Sequence, residues 1–369
     1  MKIAAIEITH HRLPLDPPFH ASWDTRPRTR FDATIVRVHT DEGVTGVASG
    51  DMMVGFAGHE HLFVGTDPRD VERHNRVLAN IAFHYGRCWP LDLALWDLVG
   101  KLAGQPVYKL LGGLTDRVRA YASSGTLCDP DRLADAAEAY IARGFRALKI
   151  RFHRGDWRHD IAALEAVRAR VGNRLDLMVD CNQGWRMPWD TAAPWTLKDA
   201  VPVARELDRL GVYWMEEPLH RGDREGMRRL RDVTDLRIAA GEMTRELYEL
   251  RDLVVGGCVD VVQPDAALVG GITGLRRIAI MASEHGIAFT PHTWTNGMGV
   301  MANAHLAAGV TDCPWLEFPY DPPEWGLDRR DYPMAEPLDV DPDGWIVLPD
   351  APGLGYALDE ERLARTRIG

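Results

Sequence analysis

From about residue 118 the chain alternates short apolar runs with longer stretches whose apolar positions recur every three or four residues. The apolar runs are VRAYAS, RALKIR, LDLMVDCN, VYWMEEP, LRIAAGE, CVDVVQPD, IAFTPH and PWLEF. Runs this short and this apolar fit strands covered on both faces. Between them, DIAALEAVRARVG sets Ile161, Leu164, Val167 and Val171 on one helical face, and TLKDAVPVARELDRLG opens with Thr196, a suitable N-cap. Strand then helix, repeated through eight strands, predicts a parallel (β/α) barrel. The preceding region reads differently. KIAAIEITHHRL and ATIVRVHTDEGVTGVASG have the look of an antiparallel meander with a turn at DEGV, and helices are expected near 67–80 and 91–104. After the eighth strand the rhythm stops, and DPDGWIVLPDAPGLGYALDEERL is a Pro/Gly-rich tail. The expected organisation is α/β: an α+β domain over 1–115, a modified TIM barrel over 116–325, and a tail over 326–369 that returns to complete the first domain.

In such a barrel the C-terminal ends of the strands converge on one mouth. The polar residues there are Lys149, Asp180, Glu216, Glu242, Asp265, His292 and Glu317, spaced 23 to 36 residues apart, close to one strand-helix unit each. Asp180, Glu216 and Glu242 belong to consecutive strands. Three carboxylates brought together repel unless a cation sits between them, and an all-oxygen set with room for an anionic substrate favours Mg²⁺ over zinc. Any one of them alone could equally be a helix N-cap or a surface charge; three in phase argue against that. Asp265 and His292 come from adjacent strands, where the carboxylate can fix the imidazole tautomer and raise the basicity of the far nitrogen, making a general base. A lone histidine after an apolar strand is more often structural, but the aspartate at the matching period reverses that preference. Glu317 would face Lys149 around the mouth and, if held neutral, could donate a hydrogen bond to a developing oxyanion. The run FRALKIRFHR puts two cations, Lys149 and Arg151, on the same side of one strand.

Composition narrows the function classes. With 369 residues, 46% hydrophobic and 26% charged, the chain is ordinary globular material. A net charge of −11 without any Lys/Arg-rich run argues against nucleic acid or acidic membranes as partners. The opening MKIAAIEITHHRLPL lacks both a signal peptide pattern and a membrane span, so a cytoplasmic location is expected. Cys88, Cys128, Cys181, Cys258 and Cys313 are odd in number and without C-x-x-C spacing, which predicts reduced thiols and no thiolate zinc site.

The segments LDLALWDLVGKLAGQPVYKLLGG, VDCNQGW, YWMEEP, AAGEMT, QPDAALVGGITG, TPHT, WLE and PDAPGLG occur in order on the expected strands. In this the chain resembles the mandelate racemase subgroup of the enolase superfamily, nearly end to end. The resemblance implies a capping domain whose loops near 15–32 and 50–60 close over a small carboxylate substrate, and a homo-oligomer, often octameric in the family. It matches Asp180, Glu216 and Glu242 to Mg²⁺ ligands and Asp265 and His292 to a catalytic dyad. Glu317 matches an acid that hydrogen-bonds the substrate carboxylate, Lys149 a carboxylate-binding lysine, and Asn182 a position used for substrate contacts. The shared chemistry is abstraction of a proton α to a carboxylate.

Family members with K-x-K on the second strand use the second lysine as a base, and this chain has Arg151 there. A guanidinium, with a pKa above roughly 12, is a poor base, so Arg151 reads as a fixed cation for a substrate oxygen. One strong base suits elimination, and dehydration of an aldonate or aldarate is the expected reaction. A racemase or epimerase, or a non-catalytic metal- or metabolite-binding relative, are the alternatives. The capping loops carry His20, Trp23, Arg26, Arg28 and Arg30, then Met52, Met53 and Phe56. Those arginines could read a second carboxylate or several hydroxyls, while Trp23, Trp185 and Trp294 could stack on a ring.

Overall fold

The computed structural model describes residues 1–50 and 53–368; Met52, named above, lies outside them. Strands β1 (Ile3–Phe19), β2 (Arg28–Thr40) and β3 (Thr45–Gly50) form the antiparallel meander, with the turn at 41–44 closed by Thr40 N donating to Val44 O at 3.1 Å. Helices α1 (Val71–His84), α2 (Pro90–Ala103) and α3 (Val107–Leu111) follow. The first begins later than the expected residue 67, because Arg69 donates its backbone N–H and Nε to Asp67 Oδ1 and holds 67–69 in a turn. The helix then starts after Asp70.

Eight parallel strands make the second layer: β4 (Arg117–Ser123), β5 (Ala147–Arg151), β6 (Asp176–Asp180), β7 (Trp214–Glu216), β8 (Arg237–Ala240), β9 (Val261–Val262), β10 (Ala288–Phe289) and β11 (Leu316–Pro319). Around them run α4 (Pro130–Ala142), α5 (Trp157–Val171), α6 (Leu197–Arg209), α7 (Arg224–Asp232), α8 (Leu247–Val255), α9 (Gly271–Glu284) and α10 (Gly297–Val310). Thr196 is the N-cap of α6, with Asp199 accepting its backbone N–H at 2.8 Å. The fold is the expected α/β barrel beneath a cap. One detail differs from a fully laddered barrel: among the described residues no ladder pair joins β10 to β11. Thr293 crosses that seam instead, its N–H donating to Glu317 Oε2 at 2.8 Å and its hydroxyl to Glu317 O at 2.6 Å.

Side chains two apart on a strand share a face. Tyr121, Ala147, Met178, Trp214, Ala239, Val261 and Trp315 form one buried cluster, one residue contributed from each of seven barrel strands or its approach. Two residues further along come Ser123, Lys149, Asp180, Glu216, Gln263 and Glu317. An apolar floor thus lies directly beneath a polar layer, and the step from one to the other is the pleat of the strands.

Beyond Pro319 the chain contributes α11 (Leu327–Arg330), β12 (Trp345–Val347), α12 (Glu360–Thr366) and β13 (Arg367–Ile368). The tail binds both domains: β12 pairs antiparallel with β4, while β13 pairs with β1 in the cap. Between these, Leu354 N donates to Asp97 Oδ1 of α2 at 2.8 Å. Gly353 permits this approach, since a Cβ there would lie 2.3 Å from Asp97 Oδ1 and the residue has φ of +84°. All five cysteines are free thiols, and no described helix is long and apolar enough to cross a membrane.

His305 ties these parts together. Its Nδ1 accepts from Tyr108 N of α3 at 3.1 Å, and its Nε2 donates to Leu354 O at 3.2 Å. Burial lowers its pKa to about 4, only partly offset by the Leu354 carbonyl. A proton on Nδ1 would face an N–H donor. An unfolded chain takes up that proton near 6.5, so this contribution to stability is complete above pH 6.5 and is lost as pH falls toward 4, at most about 3 kcal/mol. We expect the thermal midpoint to fall over that window, and His305→Gln, which keeps a donor and an acceptor but cannot be protonated, to flatten the fall. An equally steep acid loss in the variant would assign it to other groups.

Candidate active site

The mouth of the barrel holds five buried carboxylates, Asp180, Glu216, Glu242, Asp265 and Glu317. Facing them are Lys149, 0% exposed, Arg151, 3% exposed, and His292. The ligand oxygens of Asp180, Glu216 and Glu242 lie within 4.8 Å of one another. Burial pushes the Asp180 and Glu216 carboxyls upward, opposed by Arg151 and Lys149 respectively. Glu217 is buried beside them, and three cations facing this many carboxylates leave room for a further positive charge between them. Three hard oxygen donors at this spacing fit Mg²⁺, the ion this site takes.

The supports of these acids differ. Asp180 and Glu216 are paired neighbours in the β6–β7 ladder. Asp180 Oδ1 accepts from Asn182 N at 2.8 Å, while Glu216 Oε2 accepts from Gln263 Nε2 at 2.9 Å and Trp214 Nε1 at 3.1 Å. Gln263 escapes the search for acids and bases, although its place two residues after Val261 puts it in the polar layer. Glu242 lies past the end of β8, beyond Gly241, and is held by Trp185 Nε1 at 2.6 Å.

His292 Nδ1 sits 3.1 Å from Asp265 Oδ2. Asp265 Oδ1 is fixed in turn by Ala267 N at 2.8 Å and Asn303 Nδ2 at 3.0 Å. Asn303 lies on α10, where no strand period would reveal it. The imidazole Nε2 faces Glu242 Oε2 at 3.8 Å and Glu317 Oε2 at 4.0 Å. Burial alone would lower its pKa, but Glu242, Glu317 and Asp265 together raise it to about 9. A dication held by Glu242 would oppose part of that pull.

Lys149 and Glu317 meet each other here. The Lys149 ammonium is fully buried, 2.5 Å from Glu216 Oε1 and 2.6 Å from Glu317 Oε1, where it neutralises both acids. Glu317 is not held neutral. Burial pushes its carboxyl up, but Lys149, His292 and Arg151 outweigh this and bring it to about 2. Its oxygens accept from Ser123 Oγ at 2.8 Å and Thr293 N at 2.8 Å, so in this arrangement it is an acceptor without a proton to donate.

Arg151 does line the cavity. Its Nη1 bonds Asp180, its Nε donates to Ser124 O at 2.8 Å, and its guanidinium lies under the rings of Trp23 at 4.7 Å and Trp294 at 5.4 Å. Burial disfavours its charge, yet Asp180 and Glu317 raise its pKa further. It is a fixed cation. The cavity, of about 300 Å³, is also walled by Asn182, Trp185, Glu242 and His292 from the barrel and by Trp23, Arg28 and Arg87 from the cap. Asn182 has φ of +49° and a buried Oδ1 that meets no partner among the described residues, an acceptor available to a ligand. Arg87 lies between α1 and α2, outside both capping loops considered from sequence.

The remaining loop residues lie elsewhere. His20 is exposed and outside the cavity wall, Arg26 stacks over Trp189 at 4.5 Å, and Arg30 approaches Asp32 at 3.8 Å on the surface. Met53 and Phe56 are packed in the cap core. The loop between β1 and β2 docks on the barrel through Ser22 N to Gly125 O at 2.8 Å and Trp189 Nε1 to Asp24 Oδ1 at 3.0 Å.

Residues 3–112 match the mandelate racemase/muconate lactonizing enzyme N-terminal domain, and residues 132–362 the enolase C-terminal domain-like family. The arabinonate dehydratase of Saccharolobus solfataricus is 32% identical over 73% of this chain and 68% of its own. Among solved structures, the L-talarate dehydratase of Polaromonas sp. JS666, complexed with Mg and L-glucarate, superimposes with a TM-score of 0.85 at 29% identity, covering 100% of this chain and 98% of that one. The 3,6-anhydro-D-galactonate cycloisomerase of Zobellia galactanivorans gives 0.85 at 27% identity, covering 100% of both. Cycloisomerases, racemases and epimerases also stand among the relatives at 29 to 31% identity. With cap, barrel and carboxylate triad all accounted for, the chain is an enzyme of the mandelate racemase/muconate lactonizing enzyme family, within the enolase superfamily.

Proposed function

We propose that this enzyme is a Mg²⁺-dependent dehydratase of an acid sugar, converting it to a 2-keto-3-deoxy acid. The observation that carries this reading is the asymmetry of the cavity: a single imidazole base, His292, is aimed into it, and the position where a second base would stand is the guanidinium of Arg151. When bound, Mg²⁺ supplies Lewis-acid polarisation of the substrate carboxylate, which makes the α-proton acidic. Asp180, Glu216 and Glu242 would hold the ion. His292 Nε2, with Asp265 orienting the ring from Nδ1, takes the α-proton. The electrons left on the α-carbon form a double bond to the β-carbon as its C–O bond breaks, and protonated His292 returns its proton to the departing hydroxide as water. The enol then ketonises, gaining a solvent proton at carbon 3. Arg151 and Asn182 would orient substrate oxygens throughout.

The far wall bears on the substrate. Arg28 is only half-buried and already pairs with Asp24 at 3.3 Å; its partial burial lowers its pKa against the opposing pull of Asp24, and Arg87 stands beside the same space. Cations there favour a substrate with a second carboxylate, an aldarate over an aldonate. The aromatic walls from Trp23, Trp185 and Trp294 support a second reading with the same base: elimination of a ring oxygen from a cyclic sugar acid, as the cycloisomerase names among the relatives suggest. That reaction loses no water. An epimerase would need a second acid or base opposite His292, and among the described wall residues only arginines stand as further basic groups.

Three measurements test this. Exhaustive chelation should abolish turnover and added Mg²⁺ restore it, while Glu216→Gln should weaken Mg²⁺ binding by calorimetry at least about tenfold; full activity without metal would remove the ion from the reaction. His292→Asn should lower kcat by about 100- to 10,000-fold and stop α-proton exchange in D₂O, whereas Arg151→Lys should retain measurable turnover. Undiminished exchange in the His292 variant would place the base elsewhere. A panel of aldarates, aldonates, lactones and anhydro sugar acids should yield a semicarbazide-reactive product lighter by one water and deuterated at carbon 3 in D₂O. An isomeric product of unchanged mass would favour the ring-opening reading, and inversion at carbon 2 without keto acid would replace both with an epimerase.

A further inference from the structure

The three carboxylates of the metal site are not equally supported. Asp180 and Glu216 face each other across a ladder, and their carboxylates accept from Asn182 N, Gln263 Nε2 and Trp214 Nε1 in addition to the cations. Glu242 has no such frame. It follows Gly241, whose φ of +131° carries the chain off the end of β8, and among the described residues its carboxylate accepts one hydrogen bond, from Trp185 Nε1 to Oε1 at 2.6 Å.

Trp185 reaches it from β6, two strands away, through a local device. After Asp180 the chain turns at Asn182, with φ of +49°, and then passes Gly184, where a Cβ would lie 2.0 Å from Glu217 Oε1. Only a glycine fits over that carboxylate. The turn carries the indole across the site, where one edge donates to Glu242 and the ring forms a wall of the substrate cavity. The other Glu242 oxygen lies 3.8 Å from His292 Nε2. A freed carboxylate could therefore rotate toward the imidazole and leave the metal position.

We infer that Trp185 is a positioning residue for the metal centre, its indole N–H fixing Glu242 as the third carboxylate ligand and keeping it from collapsing onto His292. The inference rests on Asp180, Glu216 and Glu242 holding the ion. It adds a role to the tryptophan distinct from contact with substrate, and it makes one side chain answerable to both metal and substrate.

The test uses Mg²⁺ alone, with no substrate, on the full-length metal-free protein. Calorimetry should show Trp185→Phe, which keeps an aromatic wall but removes the donor, binding Mg²⁺ about 10- to 100-fold more weakly, with the thermal midpoint of the metal-free protein unchanged. β-(3-Benzothienyl)alanine at 185 replaces N–H by sulfur at nearly the same shape and should give the same loss if the phenylalanine variant folds poorly. Trp189→Phe, whose indole bonds Asp24 on the surface loop, is the control and should leave affinity unchanged. In a Glu242→Gln background the Trp185→Phe change should cost little further affinity, because both act through one ligand. Unchanged affinity in the Trp185 variants, or the same fold loss with and without Glu242→Gln, overturns the inference. If Glu242→Gln alone leaves Mg²⁺ affinity intact, it is the ligand assignment beneath it that fails, and the inference goes with it.

Discussion

Burying Asp180, Glu216, Glu242, Asp265 and Glu317 around one barrel mouth is costly unless each negative charge meets a cation or hydrogen-bond donors. The neighbouring structure can be read as the answer to that cost. Lys149 lies between Glu216 and Glu317, Arg151 against Asp180, and His292 between Asp265 and the remaining acids, yet these cations are fewer than the acids they face. Hence the arrangement calls for a divalent ion, and the two basic side chains of β5 are committed to holding acids apart before any substrate arrives. An arginine suits the outer of these positions, since its planar fork can bond Asp180, Ser124 O and Ser123 Oγ together while its face stacks under two indoles.

What is legible in the sequence is whatever obeys a period. The strand-helix alternation gives the barrel, and the phase of polar residues at its strand ends brings Asp180, Glu216 and Glu242 within a few ångströms and Asp265 to His292. The pleat explains why: a step of two along a strand moves from the apolar floor of Tyr121, Met178 and Trp214 to the polar layer of Ser123, Asp180 and Glu216. Contacts made off the period are not legible. Asn303 reaches Asp265 from inside a helix, and Arg87 enters the cavity from a cap connection. Charge states are equally hidden. Glu317 can be placed from its strand, but its ionisation follows from three cations that only the folded chain assembles.

The wall of the cavity is divided between cap and barrel. The barrel supplies the ordered acids, the imidazole and Arg151, all on or just past strand ends, where the scaffold is rigid. The cap supplies Trp23, Arg28 and Arg87, and its loop is docked through a few hydrogen bonds and a tryptophan-aspartate contact. Rigid chemistry beneath an adjustable roof is a division that lets substrate preference change without disturbing the charge balance below.

The tail makes that division less free than it looks. It pairs with β4 at one end and β1 at the other, and on the way it gives its backbone to Asp97 and His305. Cap and barrel are therefore stitched by a third segment, last in the chain, that pairs with strands of both. In the history of such a protein, a new cap could not be inherited as a simple N-terminal exchange: residues 349–368 would have to travel with it, or Asp97 and the edge of β1 would lose the groups they meet in the tail. Recombination at a single point inside this chain is thus disfavoured, and change in the roof is channelled into point substitutions of the loops.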